Sequence, residues 1–109
     1  MDAKKFQVEV LASTEANVLF LSGELDLGTV NEFRMAVEPL AANHSVPLKV
    51  NLRELSYIDS TGIGIFVAVL KIRKEKGGAL IIQDVPAKIK RLFDMTGLSK
   101  FLTIESEAV

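Results

Sequence analysis

Apolar and polar residues alternate from the start of the chain: Phe6, Val8 and Val10 are separated by Gln7 and Glu9, so an extended segment has one apolar side. The polar stretch Ser13-Thr14-Glu15-Ala16-Asn17 follows, then a second apolar run from Val18 to Leu21. Two extended runs across a short polar turn predict a β-hairpin. Beyond Gly23-Glu24-Leu25-Asp26-Leu27-Gly28 the apolar interval lengthens, and Val30, Phe33, Val37, Leu40 and Ala41 recur on one helical face. Thr29 and Glu32 have the spacing of a capping box, in which each side chain bonds the other residue's backbone N–H, and predict where this helix starts. Pro39 lies inside the pattern, lacks an N–H and crowds the carbonyl four residues back. The helix is therefore expected to kink or finish near it.

Alternation returns at Leu48, Val50 and Leu52, so the chain from Val18 to Leu52 reads as strand, helix, strand with a right-handed crossover. A second helix is predicted from Ser60 to Lys76, with Lys71, Arg73, Lys74 and Lys76 in its last turns and Gly77-Gly78 at its stop. Those four bases read as a solvated helix end that answers the dipole, because the cluster is short and has no interleaved aromatic residues. Ala79 to Ile82 predicts a third parallel strand. Pro86 then opens a helix whose apolar face holds Ile89, Leu92, Phe93 and Met95, stopped at Gly97 and Leu98, and Phe101 to Ile104 is a weak last strand. Strands alternating with helices imply the α/β class: an open mixed β-sheet with an N-terminal hairpin, parallel strands joined by helical crossovers, and helices packed on the sheet. No repeat, low-complexity segment or linker divides the chain, so residues 1–109 are expected to form one domain.

Composition narrows the function. With 49% of its 109 residues hydrophobic and 25% charged, the chain has the profile of an ordinary globular domain. Thirteen basic and fourteen acidic residues give a net charge of −1, so no overall positive field is available to hold nucleic acid or an anionic membrane. The absence of Cys removes disulfides and thiolate chemistry, and the single His44 leaves no cluster for zinc; no metal or cofactor is expected. The first ten residues lack the apolar core of a signal peptide, and the longest apolar run, Ile63 to Leu70 broken by Gly64, is too short to cross a bilayer. The chain is expected to be soluble and cytoplasmic.

The candidate chemistry sits in Tyr57-Ile58-Asp59-Ser60-Thr61-Gly62-Ile63-Gly64-Ile65, where a polar, turn-forming cluster precedes an apolar helix. Asp59 or Ser60 can cap that helix by accepting a hydrogen bond from a free backbone N–H. The same position suits a modification, since a phosphate on Ser60 would meet N–H donors and the positive end of the helix dipole. Gly62 and Gly64 each weaken a helix by about 1 kcal/mol relative to Ala, which implies either a partner's close approach or tight packing on the sheet. Their Gly-x-Gly spacing lacks the third glycine of a dinucleotide fingerprint and the Gly-Lys-Ser/Thr of a phosphate loop, so nucleotide binding is the weaker reading. Glu24 and Asp26 follow one parallel strand as Asp59 and Ser60 follow the next, and loops at the carboxyl ends of neighbouring strands share an edge. That edge is expected to be acidic and hydroxyl-bearing, and Glu24 and Asp26 either meet donors on a partner or terminate a strand and lead into a helix cap. His44, in the polar loop Ala42-Asn43-His44-Ser45, has no reason to join these residues, so no nucleophile-and-base arrangement is visible.

Three segments in order, Gly23-Glu24-Leu25-Asp26, Tyr57 to Gly64, and Arg91-Leu92-Phe93-Asp94-Met95-Thr96-Gly97-Leu98, resemble the STAS domain of bacterial anti-sigma factor antagonists over nearly the whole chain. The likeness is nearest to the branch serving the general stress response of Gram-positive bacteria. What the resemblance implies is partner switching. The unphosphorylated protein binds an anti-sigma factor that is itself a serine kinase, which frees the sigma factor. Phosphorylation at Ser60 abolishes binding, and a PP2C-type phosphatase restores it. The chain would then be a substrate and switch and not an enzyme, with Glu24, Asp26, Asp59, Ser60, Thr61, Gly62 and Gly64 at the partner surface. Two other classes stay open: a STAS interaction subunit of a stress-sensing or lipid-transport complex without a kinase switch, and a small nucleotide-binding protein.

Overall fold

The computed structural model describes residues 5–43 and 45–105. His44 lies outside the described residues. Strands β1 (Phe6–Ala12) and β2 (Asn17–Leu25) form the expected hairpin in unbroken antiparallel register, from Phe6 opposite Gly23 to Ala12 opposite Asn17. The Ser13 hydroxyl closes its turn, accepting from the Glu15 and Ala16 N–H groups and donating to the Ala16 carbonyl. Helix α1 (Val30–Ala41) leads to β3 (Leu48–Ile58), helix α2 (Ser60–Lys76) to β4 (Leu80–Gln83), and helix α3 (Ala87–Met95) with a 3-10 turn (Leu98–Lys100) to β5 (Thr103–Glu105). From β2 onward each neighbouring pair is parallel, and the sheet order follows the chain, β1-β2-β3-β4-β5.

Crossovers of one hand between successive neighbours put the helices on one face of the sheet. Their aromatic residues meet there, with Phe66 of α2 5.3 Å from Phe33 of α1 and 5.6 Å from Phe93 of α3, ring centre to ring centre. Beneath them lie Leu19 and Leu21 of β2, Leu48, Val50 and Leu52 of β3 and Ile82 of β4, all buried. The residues between them point to the other face, where Phe20 is exposed and Lys49, Asn51, Ile81 and Gln83 are half-buried. No helix among the described residues is long and apolar enough to cross a membrane.

Strand β3 runs six residues beyond Leu52, where the alternation stops. Its register against β2 shifts between Phe20 and Ser22 and again between Gly23 and Glu24. Each shift inserts an extra residue, so Leu52, Leu55 and Ile58, three apart in sequence, all reach the core. Helix α1 passes through Pro39 and ends two residues later, because the missing N–H falls in its last turn.

Three local expectations are corrected. Met95, at the last position of α3, is 75% exposed and lies off the buried face that Ile89 and Phe93 form. Thr29 precedes α1 but makes no capping bond; its hydroxyl turns back into the preceding loop, donating to the Glu24 carbonyl at 2.8 Å and accepting from the Asp26 N–H at 3.0 Å. Arg73 is not part of a solvated helix end: it is 1% exposed. Its guanidinium donates to the carbonyls of Asn43 at 2.7 Å, Val46 at 2.9 Å, Ala41 at 3.2 Å and Leu40 at 3.4 Å, and twice to that of Ala79, at 2.8 and 3.1 Å. No carboxylate among the described residues pairs with it, and burial lowers its affinity for its proton from the usual arginine value. The carbonyl ends of α1, the negative pole of that helix dipole, balance the charge. Gly78 lies flat against the guanidinium, since a Cβ there would come within 2.5 Å of Cζ.

Candidate functional site

Strands β2 and β3 end side by side, with Leu25 opposite Ile58, so the loops that follow leave from adjacent positions at one sheet edge. Asp59 continues the pairing by donating its N–H to the Leu25 carbonyl at 3.2 Å. Its backbone is extended and its side chain caps α2: Oδ1 accepts from the Gly62 N–H at 3.0 Å. Oδ2 accepts from the Leu27 N–H at 3.2 Å. One carboxylate therefore fixes both the start of α2 and the loop after β2. With the cap taken by Asp59, Ser60 becomes the first helical residue; it is exposed, and its hydroxyl makes no hydrogen bond among the described residues. The backbone N–H groups of Ser60 and Thr61 have no acceptor among the described residues either, so donors and the positive dipole end surround the hydroxyl.

Asp26 is held by its own loop. Its Oδ1 accepts from the Gly28 N–H at 2.9 Å, and its Oδ2 pairs with Lys5 Nζ at 2.6 Å. The bond to Lys5, with the attraction of that ammonium and the Gly28 and Thr29 donors, holds the Asp26 carboxyl below the usual carboxylate range; the same bond raises Lys5 above its usual value. Glu24 is different: half of its side chain is exposed, and Lys5 approaches only to 3.9 Å.

The structure brings Glu24, Asp26, Asp59 and Ser60 to one edge, as the topology predicts, and then separates their roles. Asp26 and Asp59 organise the loops, while Glu24 and Ser60 face solvent. The two glycines separate in the same way. A Cβ on Gly62 would lie 2.8 Å from Ile58 Cγ1 and 3.0 Å from both Leu25 Cγ and the Leu25 carbonyl, so Gly62 is required by packing inside the domain. Gly64 is exposed, nothing lies within 4 Å of a Cβ built there, and its bare backbone is open to a partner. Thr61 is half-buried. Sequence reasoning missed Lys5, which reaches both acidic residues from the start of β1, and two exposed apolar residues at this edge, Leu27 at 75% and Tyr57 at 49%. An apolar residue inside the polar segment Glu24 to Gly28 is the one signal that pointed to Leu27.

Among the described residues no group of three His, Cys, Asp or Glu side chains converges as a metal site. The geometry offers an accessible hydroxyl, an acidic neighbour and a backbone that a partner can approach. Comparison with known proteins agrees with the fold. The STAS domain model matches residues 7–108, and the chain belongs to the STAS domain family. It is 35% identical over 88 residues to the anti-sigma-B factor antagonist of Bacillus subtilis (strain 168), covering 81% of this chain and 80% of that protein. An anti-sigma factor antagonist from Mycobacterium paratuberculosis superposes with a TM-score of 0.79 at 22% identity, over 96% of this chain and 90% of that one. The Bacillus cell fate determinant SpoIIAA in its phosphorylated form superposes with a TM-score of 0.72 at 24% identity, over 94% of this chain and 91% of that one.

Proposed function

We propose that this chain is a cytoplasmic anti-sigma factor antagonist that works by partner switching. Unphosphorylated, it binds an anti-sigma factor serine kinase through the edge formed by Glu24, Leu27, Ser60, Thr61 and Gly64 and releases the sigma factor. Phosphorylation of Ser60 ends that binding, and a PP2C-type phosphatase resets the switch. The observation that carries the proposal is the Ser60 hydroxyl, exposed and without a hydrogen bond among the described residues because Asp59 supplies the cap. The family relationship supports the partner, and the phosphorylated form of SpoIIAA is a precedent in a related fold. Asp26, Asp59 and Gly62 contribute by holding the edge in shape.

The charge arithmetic favours a local switch. A phosphoserine adds about −1.5 to −2 charge, which the dipole end of α2 tolerates within the domain. Placed across an interface, one unit-charge contact near 4 Å is worth about 1 kcal/mol in water and about 4 kcal/mol at an intermediate dielectric. A hundredfold loss of affinity needs about 2.7 kcal/mol, which one or two such contacts supply without refolding. The test uses the purified kinase partner with ATP and phosphopeptide mapping. One phosphate on Ser60, with Ser60→Ala unmodified but still binding, is the expected result. A phosphate on Thr61, or a kinase that binds both forms equally, overturns it.

A further inference from the structure

β1 is the outer strand of the sheet, and no strand among the described residues pairs with its far side, which is long and regular. It spans seven residues in unbroken register with β2, without proline or bulge, whereas the opposite outer strand, β5, spans three. Long flat edges are usually blunted because their unpaired backbone groups recruit another strand. The Glu24 N–H donates to the Lys5 carbonyl at 2.8 Å while Phe6 faces Gly23, which makes Phe6 and Gly23 a pair without direct ladder bonds. The N–H and C=O groups of Phe6, Val8 and Val10 therefore point away from β2. A groove of about 250 Å³ lined by Phe6, Gln7, Val8, Glu9 and Glu32 runs along this side, and Val10 and Leu11 are 47% and 61% exposed.

We propose that β1 is a self-association edge, on which a second copy of this chain lays its own β1 antiparallel about a two-fold axis at Val8, making one ten-stranded sheet. Because the outward groups belong to even-numbered residues, even must pair with even and odd with odd. Full overlap of the two strands sets Glu9 against the partner's Glu9, and like charges directly opposite are destabilising. Shifting one way sets Glu9 against the partner's Leu11. Shifting the other way sets Val8 against the partner's Val8, Phe6 against the partner's Val10 and Gln7 against the partner's Glu9. In that register both Gln7 amides reach a carboxylate and about six backbone hydrogen bonds form. The complementary row is supplied by the strand's own sequence, and it involves none of the residues at the Ser60 edge.

The test is sedimentation velocity on the intact chain over a wide concentration range, with variants at the exposed Gln7. A monomer–dimer equilibrium is expected. Gln7→Glu places a second carboxylate opposite Glu9 at both symmetric positions and should weaken the dimer by about tenfold, whereas Gln7→Lys should tighten it. The chain has no Cys, so Val8→Cys under oxidation should give a covalent dimer. Directly bonded antiparallel pairs lie about 5.5 Å apart at Cα, within disulfide reach, while Leu11→Cys should not cross-link. A monomer at every concentration overturns the proposal, as does a dimer that is indifferent to charge at position 7 or cross-links through position 11.

Discussion

At the N-terminal end of α2 a single carboxylate, Asp59, holds two backbone N–H groups and leaves the next side chain, Ser60, exposed, its hydroxyl without a hydrogen bond among the described residues. At the C-terminal end, three residues before the last residue of the helix, Arg73 is buried and gathers the carbonyls of Leu40, Ala41, Asn43, Val46 and Ala79. The first end is a cap with a free group beside it, so local structure does not depend on the residue proposed to switch. The second ties the end of α1 to the approaches of β3 and β4, and the fold depends on it. A residue that looks marked for function can thus be locally dispensable, while one that looks like surface charge holds three elements together.

If that contrast is right, Arg73→Met is the most damaging change. It removes the donor from the Ala41, Asn43 and Val46 carbonyls, while those of Leu40 and Ala79 keep the Asn43 and Leu48 N–H groups; at about 1–3 kcal/mol for each group left unsatisfied, unfolding should lose about 3 kcal/mol. Arg73→Lys should recover only part, because one ammonium cannot span the same carbonyls. Denaturant unfolding that shows either variant near wild type would remove the clamp from the comparison.

The glycines sharpen the same contrast within one turn. Gly62→Ala forces a methyl against Ile58 and Leu25 and should destabilise by about 1–3 kcal/mol. Gly64→Ala meets open space and should stabilise the helix by up to about 1 kcal/mol. Thermal melts of the pair should move in opposite directions; a common direction would refute the division between packing and open backbone.

Substitutions at the cap should be milder. Asp59→Ala loses the Gly62 bond and should reduce stability by about 0.5–2 kcal/mol, with the loop at Leu27 loosened as well. Ser60→Ala should stay within about 0.5 kcal/mol of wild type, since no bond is lost. Equal losses in calorimetry would mean that Ser60 shares the cap.

The smallest effect concerns acid. Lys5 and the loop donors hold Asp26 below its ordinary range, so the stability this carboxylate contributes is present above the unfolded-state value and lost as pH falls through the lower folded-state value. Asp26→Asn should flatten that acid limb and leave stability unchanged in slope near neutral pH. Melts across the acid range check this, and an unchanged acid limb would place Asp26 outside the network.

The order of strands and helices was legible because each element repeats its own apolar interval, and the turn residues fell where they stop the chain. The site's location was legible too: Asp, Ser and Gly before an apolar helix announce a helix start, and parallel strands bring consecutive carboxyl-end loops together. The division of labour at that site was not. Asp59 rather than Ser60 caps because β3, lengthened by two register shifts, delivers Asp59 in extended conformation beside Leu25. Thr29 looked like half of a capping box, but the loop closes back on the Glu24 carbonyl and takes its hydroxyl.

What the sequence determined by itself is therefore what neighbours in the chain decide: element type, the apolar face of each helix, and the class of chemistry available in a chain without Cys and with one His. The tertiary structure decided which polar groups are free. Arg73, Lys71, Lys74 and Lys76 look alike at the end of one helix, yet only Arg73 lies on the side where α1 ends and β4 begins, and its planar fork of donors matches carbonyls that come from thirty residues away. Whether a side chain is a partner for water or for distant backbone depends on contacts between segments far apart in sequence, and no local pattern encodes those distances.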